Sequence, residues 1–321
     1  MTAQLRADGT LRHLLTLEGL SRKDITLLLD RAQQFVRPIG ARAPTSRALE
    51  GVTVANLFTE PSTRTRVSFE LAAGRLGARV VNLEVQLSSR VKGESMLDTI
   101  FTLEALHVDV FVIRDAEAGV PALVAAHVAP HVSVLSAGEG SVAHPTQGLL
   151  DALTIRQRKR RFDGLVVAIV GDIRHSRVAR SACHALATLG VAELRLVAPP
   201  ALLPGADELG GCTRHTDIEA GLAGADVVMM LRIQRERMLD EAQLDGAAYF
   251  ESFGLTPGRL RLAKPDAIVL HPQPMNRGVE IASEVADGPQ SAIRDQVRNG
   301  VAVRMAVLAT VARAGAEGGS A

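Results

Sequence analysis

Apolar residues along this chain come in short unbroken runs, separated by longer stretches in which they recur every three or four positions. The short runs lie at 52–58 (VTVANLF), 78–84 (ARVVNLE), 108–113 (VDVFVI) and 132–135 (VSVL), then at 165–172 (LVVAIVGD), 194–199 (LRLVAP), 225–231 (ADVVMML) and 267–272 (AIVLHP). They are strand-sized and apolar almost throughout, the pattern of strands buried on both faces of a parallel sheet. Before and between them, 21–35, 95–107 and 177–190 carry helical spacing. Ser21 with Asp24 three residues on gives the first a capping box, and Gly190 ends the third.

Strand–helix alternation of this kind predicts an α/β fold with parallel sheets. The strand candidates fall into two groups on either side of the helical stretch 146–161. The expectation is therefore two doubly wound parallel-sheet domains with helices on both faces and an active site in the cleft between them. The predicted divisions are 1–150 and 151–290. Residues 291–321 would form a final helix, 292–315, that packs back onto the first domain, and a flexible tail. In such sheets ligands bind at the carboxyl ends of the strands, so the residues just after each run carry the chemistry.

Composition narrows the class. The 321 residues hold 47% hydrophobic residues and only 3% aromatics, so the cores rest on Ala, Val, Leu and Ile. A formal net charge of +1 gives no general attraction to nucleic acid or an anionic membrane. No apolar run reaches the roughly 18 residues of a membrane span. The N-terminal MTAQLRADGTLRHLL has no long apolar stretch. The two cysteines, Cys183 and Cys212, fit neither a CxxC nor a Cys/His spacing, so neither a disulfide framework nor a zinc site is expected. A cytoplasmic protein is the simplest expectation.

Seven segments stand where chemistry is expected. Phe58-Thr59-Glu60-Pro61-Ser62-Thr63-Arg64-Thr65-Arg66 runs from a strand into a helix. A helix start offers unpaired N–H groups and a positive dipole end, Ser62, Thr63 and Thr65 add hydroxyls, and Arg64 adds a bidentate fork. Together they suit a phosphate. The polar segment 86–95, with Ser88 and Lys92, reads by itself as a surface loop. Arg114 ends the run 108–113, where an ion pair and a bound anion fit equally. His144-Pro145-Thr146-Gln147 fits a helix cap, or a neutral imidazole donating to a carbonyl beside an amide that orients an NH2 group.

Gly171-Asp172-Ile173-Arg174-His175-Ser176-Arg177 follows a strand as a dinucleotide site does. The GxGxxG spacing is absent, which disfavours a nucleotide-dependent oxidoreductase. Arg232-Ile233-Gln234 and His271-Pro272-Gln273-Pro274 follow the last two runs. With near-zero net charge, Arg64, Lys92, Arg114, Arg177 and Arg232 together point to a small polyanionic ligand rather than a nucleic-acid groove.

The pairing of Ser62-Thr63-Arg64-Thr65 with His144-Pro145-Thr146-Gln147 resembles the carbamoyltransferases, over roughly residues 10–312. That resemblance implies a carbamoyl-phosphate-binding first domain and an amino-acid-binding second domain. His271-Pro272-Gln273-Pro274 replaces the His-Cys-Leu-Pro of the ornithine branch, and no Ser-Met-Gly motif occurs. Arg232-Ile233-Gln234 is similar to the dicarboxylate loop of the aspartate branch. The acceptor implied is therefore L-aspartate, in an early step of pyrimidine synthesis. Ornithine, or a non-catalytic assembly role, is the alternative.

By the same resemblance, Ser62, Thr63, Arg64 and Thr65 hold the phosphate, while Thr65, Arg114 and His144 polarise the carbamoyl oxygen. Gln147 and the Pro272 carbonyl fix the carbamoyl NH2. Arg177 takes the α-carboxylate of aspartate, and Arg232 with Gln234 the β-carboxylate. The backbone of Pro272 and Gln273 faces the reacting groups. Ser88 and Lys92 match residues lent to a neighbouring subunit's site, with Lys92 also facing aspartate, which implies a homotrimer with shared active sites. Glu60 matches a carboxylate that pairs with the aspartate-side arginines on domain closure. No cofactor or metal is implied. The sequence leaves open whether regulatory chains or a dihydroorotase join a larger assembly. Arg277 falls two residues later than the arginine that follows the second proline in some members, and Cys183 and Cys212 match no family site.

Overall fold

Parallel pairing organises the strands in the computed structural model, which describes residues 4–84, 95–234 and 245–316. The chain forms two compact units. One comprises residues 1–149 and 298–321, the other 150–297.

In the first unit the order is β1 (Thr53–Phe58), α2 (Thr63–Arg75), β2 (Arg79–Glu84), α3 (Met96–Ala105), β3 (Val110–Asp115), α4 (Val120–His127) and β4 (Ser133–Glu139), preceded by α1 (Arg22–Phe35). The sheet order is β2-β1-β3-β4, all parallel. Asn56 and Asn82 are register partners, and the Asn56 amide donates to the Asn82 amide oxygen at 2.8 Å. A slip of one residue would break that bond and turn the apolar side chains over. Ala55, Leu57, Phe111, Ile113 and Val134 are fully buried in the core. The expected capping box of α1 is present, with Ser21 and Asp24 bonded reciprocally, and Ser95 and Asp98 form another on α3.

The second unit holds β5 (Val166–Val170), α6 (Arg177–Leu189), β6 (Glu193–Val197), β7 (Thr213–His215), α7 (Ile218–Leu222), β8 (Val227–Met230) and β9 (Ile268–Leu270). Three short helices also belong to it: α8 (Gly246–Phe253), α9 (Pro257–Leu260) and α10 (Ser283–Ala286). The order β7-β6-β5-β8-β9 is again all parallel. Gly190, left-handed at φ 84°, closes α6. The chain passes between units within α5 (Pro145–Lys159) and α11 (Ile293–Ala316). The part of α11 in the first unit carries Arg304, whose buried guanidinium lies 5.0 Å from the Phe69 ring on α2.

Among the described residues nine strands are present where the apolar runs predict eight. The extra one is β7, whose Thr-Arg-His at the sheet edge is largely exposed. A polar edge strand carries no apolar run to reveal it.

The two sheets share a device at the amino ends of their strands. Asp109, just before β3, accepts from the N–H of Thr53, the first residue of β1, at 2.7 Å. Asp226, just before β8, accepts from Val166, the first residue of β5, at 3.0 Å, and binds Lys264 Nζ at 2.8 Å. Each carboxylate pins the central strand to its neighbour across the point where strand order reverses. That is the point at whose carboxyl end ligands bind in open α/β sheets.

Candidate active site

In the first unit the sequence-predicted residues converge on the carboxyl ends of β1, β3 and β4. Phe58 and Arg114 are register partners, so the turn leaving β1 lies beside the end of β3. Thr59 is buried there, and both its N–H (3.0 Å) and its hydroxyl (3.2 Å) donate to the Arg114 carbonyl. The chain then enters α2 at Ser62.

Ser62 differs from the other serine caps. Ser21, Ser95 and Ser176 each accept an N–H of their own helix on the side-chain oxygen. Ser62 stands at the cap position with φ −159° and makes no side-chain capping bond. The N–H groups of the first turn of α2 are thus not covered by their own cap, and they carry the positive end of the helix dipole. Thr63 and Arg64 are exposed beside them, while Thr65 is buried. This is an anion-receiving arrangement.

Arg114 is mostly covered. Its Nη1 donates to the Ala137 carbonyl on β4 at 3.2 Å, and its Nη2 lies 2.6 Å from Glu60 Oε1. Of the two options the sequence left for Arg114, an ion pair is present in this structure, and its partner is Glu60. At the end of β4, Glu139 accepts the Gly119 N–H at 2.8 Å, and its own N–H donates to the Ala143 carbonyl at 3.0 Å. This fixes the turn that delivers His144, whose carbonyl receives the Gln147 and Gly148 N–H groups at 2.9 and 3.2 Å. His144, Thr146 and Gln147 are all buried.

In the second unit the loops after β5, β8 and β9 lie side by side in sheet order. Asp172, fully buried, ties the first two together. Its Oδ1 accepts from the His175 ring at 2.9 Å and the His175 N–H at 3.2 Å, and its Oδ2 faces the Gln234 N–H at 3.4 Å. The Gln234 amide in turn donates to the His175 carbonyl at 3.2 Å. Arg232 stands between Leu231 and this clamp. Arg177 is the first residue of α6 and is buried, while Ser176 caps the helix through Ala179 at 3.1 Å. The sequence marks the segment 171–177 but assigns Asp172 no role. The signal was a carboxylate directly after a buried strand.

The third loop is held from beneath. His271 Nδ1 accepts the Gln273 N–H at 2.9 Å, which leaves the ring proton on Nε2, 3.2 Å from Glu280 Oε1. The same carboxylate oxygen accepts the Asn276 N–H at 2.5 Å. Gln273 adopts φ 56° under these bonds. Arg277 is accounted for separately, as an exposed bidentate pair with Asp287 at 2.7 and 3.0 Å.

Ser88 and Lys92 lie outside the described residues. Cys183 and Cys212, far apart in sequence, have their sulfurs 3.9 Å apart.

Comparison with known proteins settles the lineage. Residues 12–157 match the carbamoyl-phosphate-binding domain of aspartate/ornithine carbamoyltransferases, and residues 163–311 match their aspartate/ornithine-binding domain. The chain belongs to the aspartate/ornithine carbamoyltransferase family. It is similar to the aspartate transcarbamoylase of Trypanosoma cruzi in complex with carbamoyl aspartate and phosphate. That match has 35% identity and a TM-score of 0.84, and covers 96% of this chain and 98% of the other. The same enzyme with carbamoyl phosphate and aspartate matches at 34% identity and a TM-score of 0.83, over 97% and 98% of the two chains. The ornithine carbamoyltransferase of Thermus thermophilus matches at 27% and 0.82, over 94% and 98%. The carbamoyltransferase fold therefore accounts for both parallel sheets, and identity is higher to the aspartate enzyme.

Proposed function

We propose that the chain is an aspartate carbamoyltransferase, transferring the carbamoyl group of carbamoyl phosphate to the amine of L-aspartate. The observation that carries this reading is near full-length similarity to the Trypanosoma cruzi aspartate enzyme, solved with both substrates. Charge favours the same acceptor. Ornithine would bring a second ammonium toward Arg232. Two such cations about 4 Å apart repel by about 4 kcal/mol in a partly screened site, on the order of a thousandfold in affinity. A carboxylate gains where the ammonium loses.

In this reading Ser62, Thr63, Arg64 and Thr65 hold the phosphate at the start of α2. Thr65, Arg114 and His144 stabilise the oxygen on which charge grows as the amine adds to the carbamoyl carbon. Gln147 orients the carbamoyl NH2, with the Pro272 carbonyl as a second acceptor. Arg177 and Arg232 take the two carboxylates of aspartate, and the Asp172 clamp fixes the backbone beside Arg232. Phosphate leaves directly and accepts the amine's proton, so no covalent enzyme intermediate is needed. Positioning and charge stabilisation are the protein's contributions. Glu60 holds Arg114 in the present structure and would release it when Glu60 turns to the aspartate-side arginines.

The family resemblance of Ser88 and Lys92 supports a homotrimer, which sedimentation of the purified protein would test, and a chain with only two cysteines fits the cytoplasm. No helix among the described residues is long and apolar enough to cross a membrane. The deciding assay supplies carbamoyl phosphate with either L-aspartate or L-ornithine. Carbamoyl aspartate is the expected product, and citrulline would overturn the acceptor assignment.

A further inference from the structure

Cys183 lies buried in the middle of α6, and Cys212 lies half-buried on the turn that leads into β7. Both elements flank β6: α6 packs on it, and β7 pairs with it at the sheet edge. The two thiols face each other with sulfurs 3.9 Å apart. A disulfide needs about 2.0 Å, so the sulfurs must close by roughly half their separation.

The two sides differ in how readily they move. α6 is fixed at both ends, by the Ser176 cap and by left-handed Gly190. The turn before Cys212 is Leu209-Gly210-Gly211, with left-handed backbone at Leu209 (φ 54°) and Gly211 (φ 83°). Both glycines are exposed, with open space where a side chain would project. Beyond Cys212, β7 is only three residues long. The turn can carry the Cys212 sulfur inward without disturbing the core.

We propose that Cys183 and Cys212 are a reversible dithiol–disulfide pair that closes when the protein meets a hydroperoxide. Cys212 reacts first, because it is the thiol that solvent reaches. Its hydrogen bond with Cys183 draws its pKa below the usual thiol range, and the charge of Arg214 adds to this. Its sulfur attacks the terminal peroxide oxygen. The O–O bond breaks, a sulfenic acid forms, and the displaced hydroxide or alkoxide takes up the thiol proton. Cys183 is the resolving thiol. Its sulfur attacks Cys212 Sγ, the S–O bond breaks, and the oxygen leaves as water with the second thiol proton. Two thiols lose two electrons and the peroxide gains them. A sulfenic acid with no second thiol within reach proceeds to sulfinic acid and is lost. Here the neighbour captures it in a form that a thiol reductant reverses.

The test is titration of the whole folded protein with hydrogen peroxide, followed by alkylation under denaturing conditions and mass analysis without reductant. The expected result is joint loss of both thiols, a mass decrease of two hydrogens, and a cross-linked peptide joining Cys183 to Cys212. Dithiothreitol should restore both thiols, and the oxidised form should melt about 5–10 °C higher, because the bond closes a loop of roughly 30 residues. Cys183→Ala should convert Cys212 to species that dithiothreitol does not reverse, and Cys212→Ser should leave Cys183 unoxidised. If Cys183→Ala does not fold, the wild-type peptide map and Cys212→Ser still decide the matter. Sulfinic acid on Cys212 of the wild type with Cys183 still alkylatable would overturn the proposal. So would disulfides found only between chains, or thiols that peroxide leaves untouched.

Discussion

A β-carbon added at Gly171 would lie 2.7 Å from the backbone oxygen of Leu231. Gly171 leaves β5 at φ 131°, a conformation side chains rarely adopt, and Leu231 leaves β8 beside it. The loops that lead to Arg177 and Arg232 come this close only because position 171 has no side chain. Gly171→Ala must therefore both strain its own backbone and push the β8 loop away. The expected loss is about 3 kcal/mol of stability. If Arg232 binds aspartate, KM for aspartate should also rise at least tenfold, with KM for carbamoyl phosphate little changed. Urea unfolding and steady-state kinetics read both quantities. A Gly171→Ala protein with wild-type stability and kinetics would show that the apposition is not required.

Serine at two helix starts should give opposite phenotypes. Ser21 caps α1 through its own side chain, and its replacement by alanine should cost about 1 kcal/mol with no effect on turnover. Ser62 caps nothing, so Ser62→Ala should leave stability within about 0.5 kcal/mol. It should instead weaken carbamoyl phosphate binding roughly tenfold, the scale of one hydrogen bond to a charged group. Melting curves and a binding titration for both variants separate the roles. Equal destabilisation by the two substitutions would mean that Ser62 is an ordinary cap.

Arg64 is exposed and opens toward solvent from the first turn of α2. Arg64→Ala should fold and assemble as the parent does, while turnover falls at least about 100-fold through loss of a charge that stabilises phosphate and transition state. Near-normal turnover by a folded Arg64→Ala protein would sink the phosphate-site assignment.

The strands and long helices were legible because a buried parallel strand is apolar throughout and an amphipathic helix is periodic. The placement of the candidate segments was legible because sheet topology gathers whatever follows each strand, so Ser62, Arg114 and His144 could be put at one sheet edge before their register was known. The missed features lack such patterns. β7 is a polar edge of three residues. Asp172, His271 and Glu280 each act through several buried hydrogen bonds, between residues whose neighbourhood only the folded backbone defines. The approach of Cys183 to Cys212 depends on where the turn at Leu209–Gly211 returns to the sheet. Pairing of Arg114 with Glu60 could not be separated from anion binding by sequence, because an arginine fork serves either partner.

His13 supplies a prediction about pH. It is buried in the first unit, and its Nδ1 accepts the Val134 N–H at 2.9 Å. Burial, with smaller contributions from the charges of Arg12 and Arg6, lowers its pKa to about 3. The folded state therefore stays unprotonated at this position down to about pH 3, whereas the unfolded chain takes up the proton near pH 6.5. Below that value the unfolded state binds the extra proton, so this residue removes stability as pH falls, by up to about 1.4 kcal/mol per unit. Between pH 7 and pH 5 the loss should be about 2 kcal/mol. His13→Asn keeps an acceptor for Val134 but cannot titrate. Urea unfolding of both proteins at the two pH values should show the wild type losing about 2 kcal/mol more than the variant. Identical pH dependence would mean that His13 is protonated in the fold, and that its bond to Val134 is not the acceptor bond described.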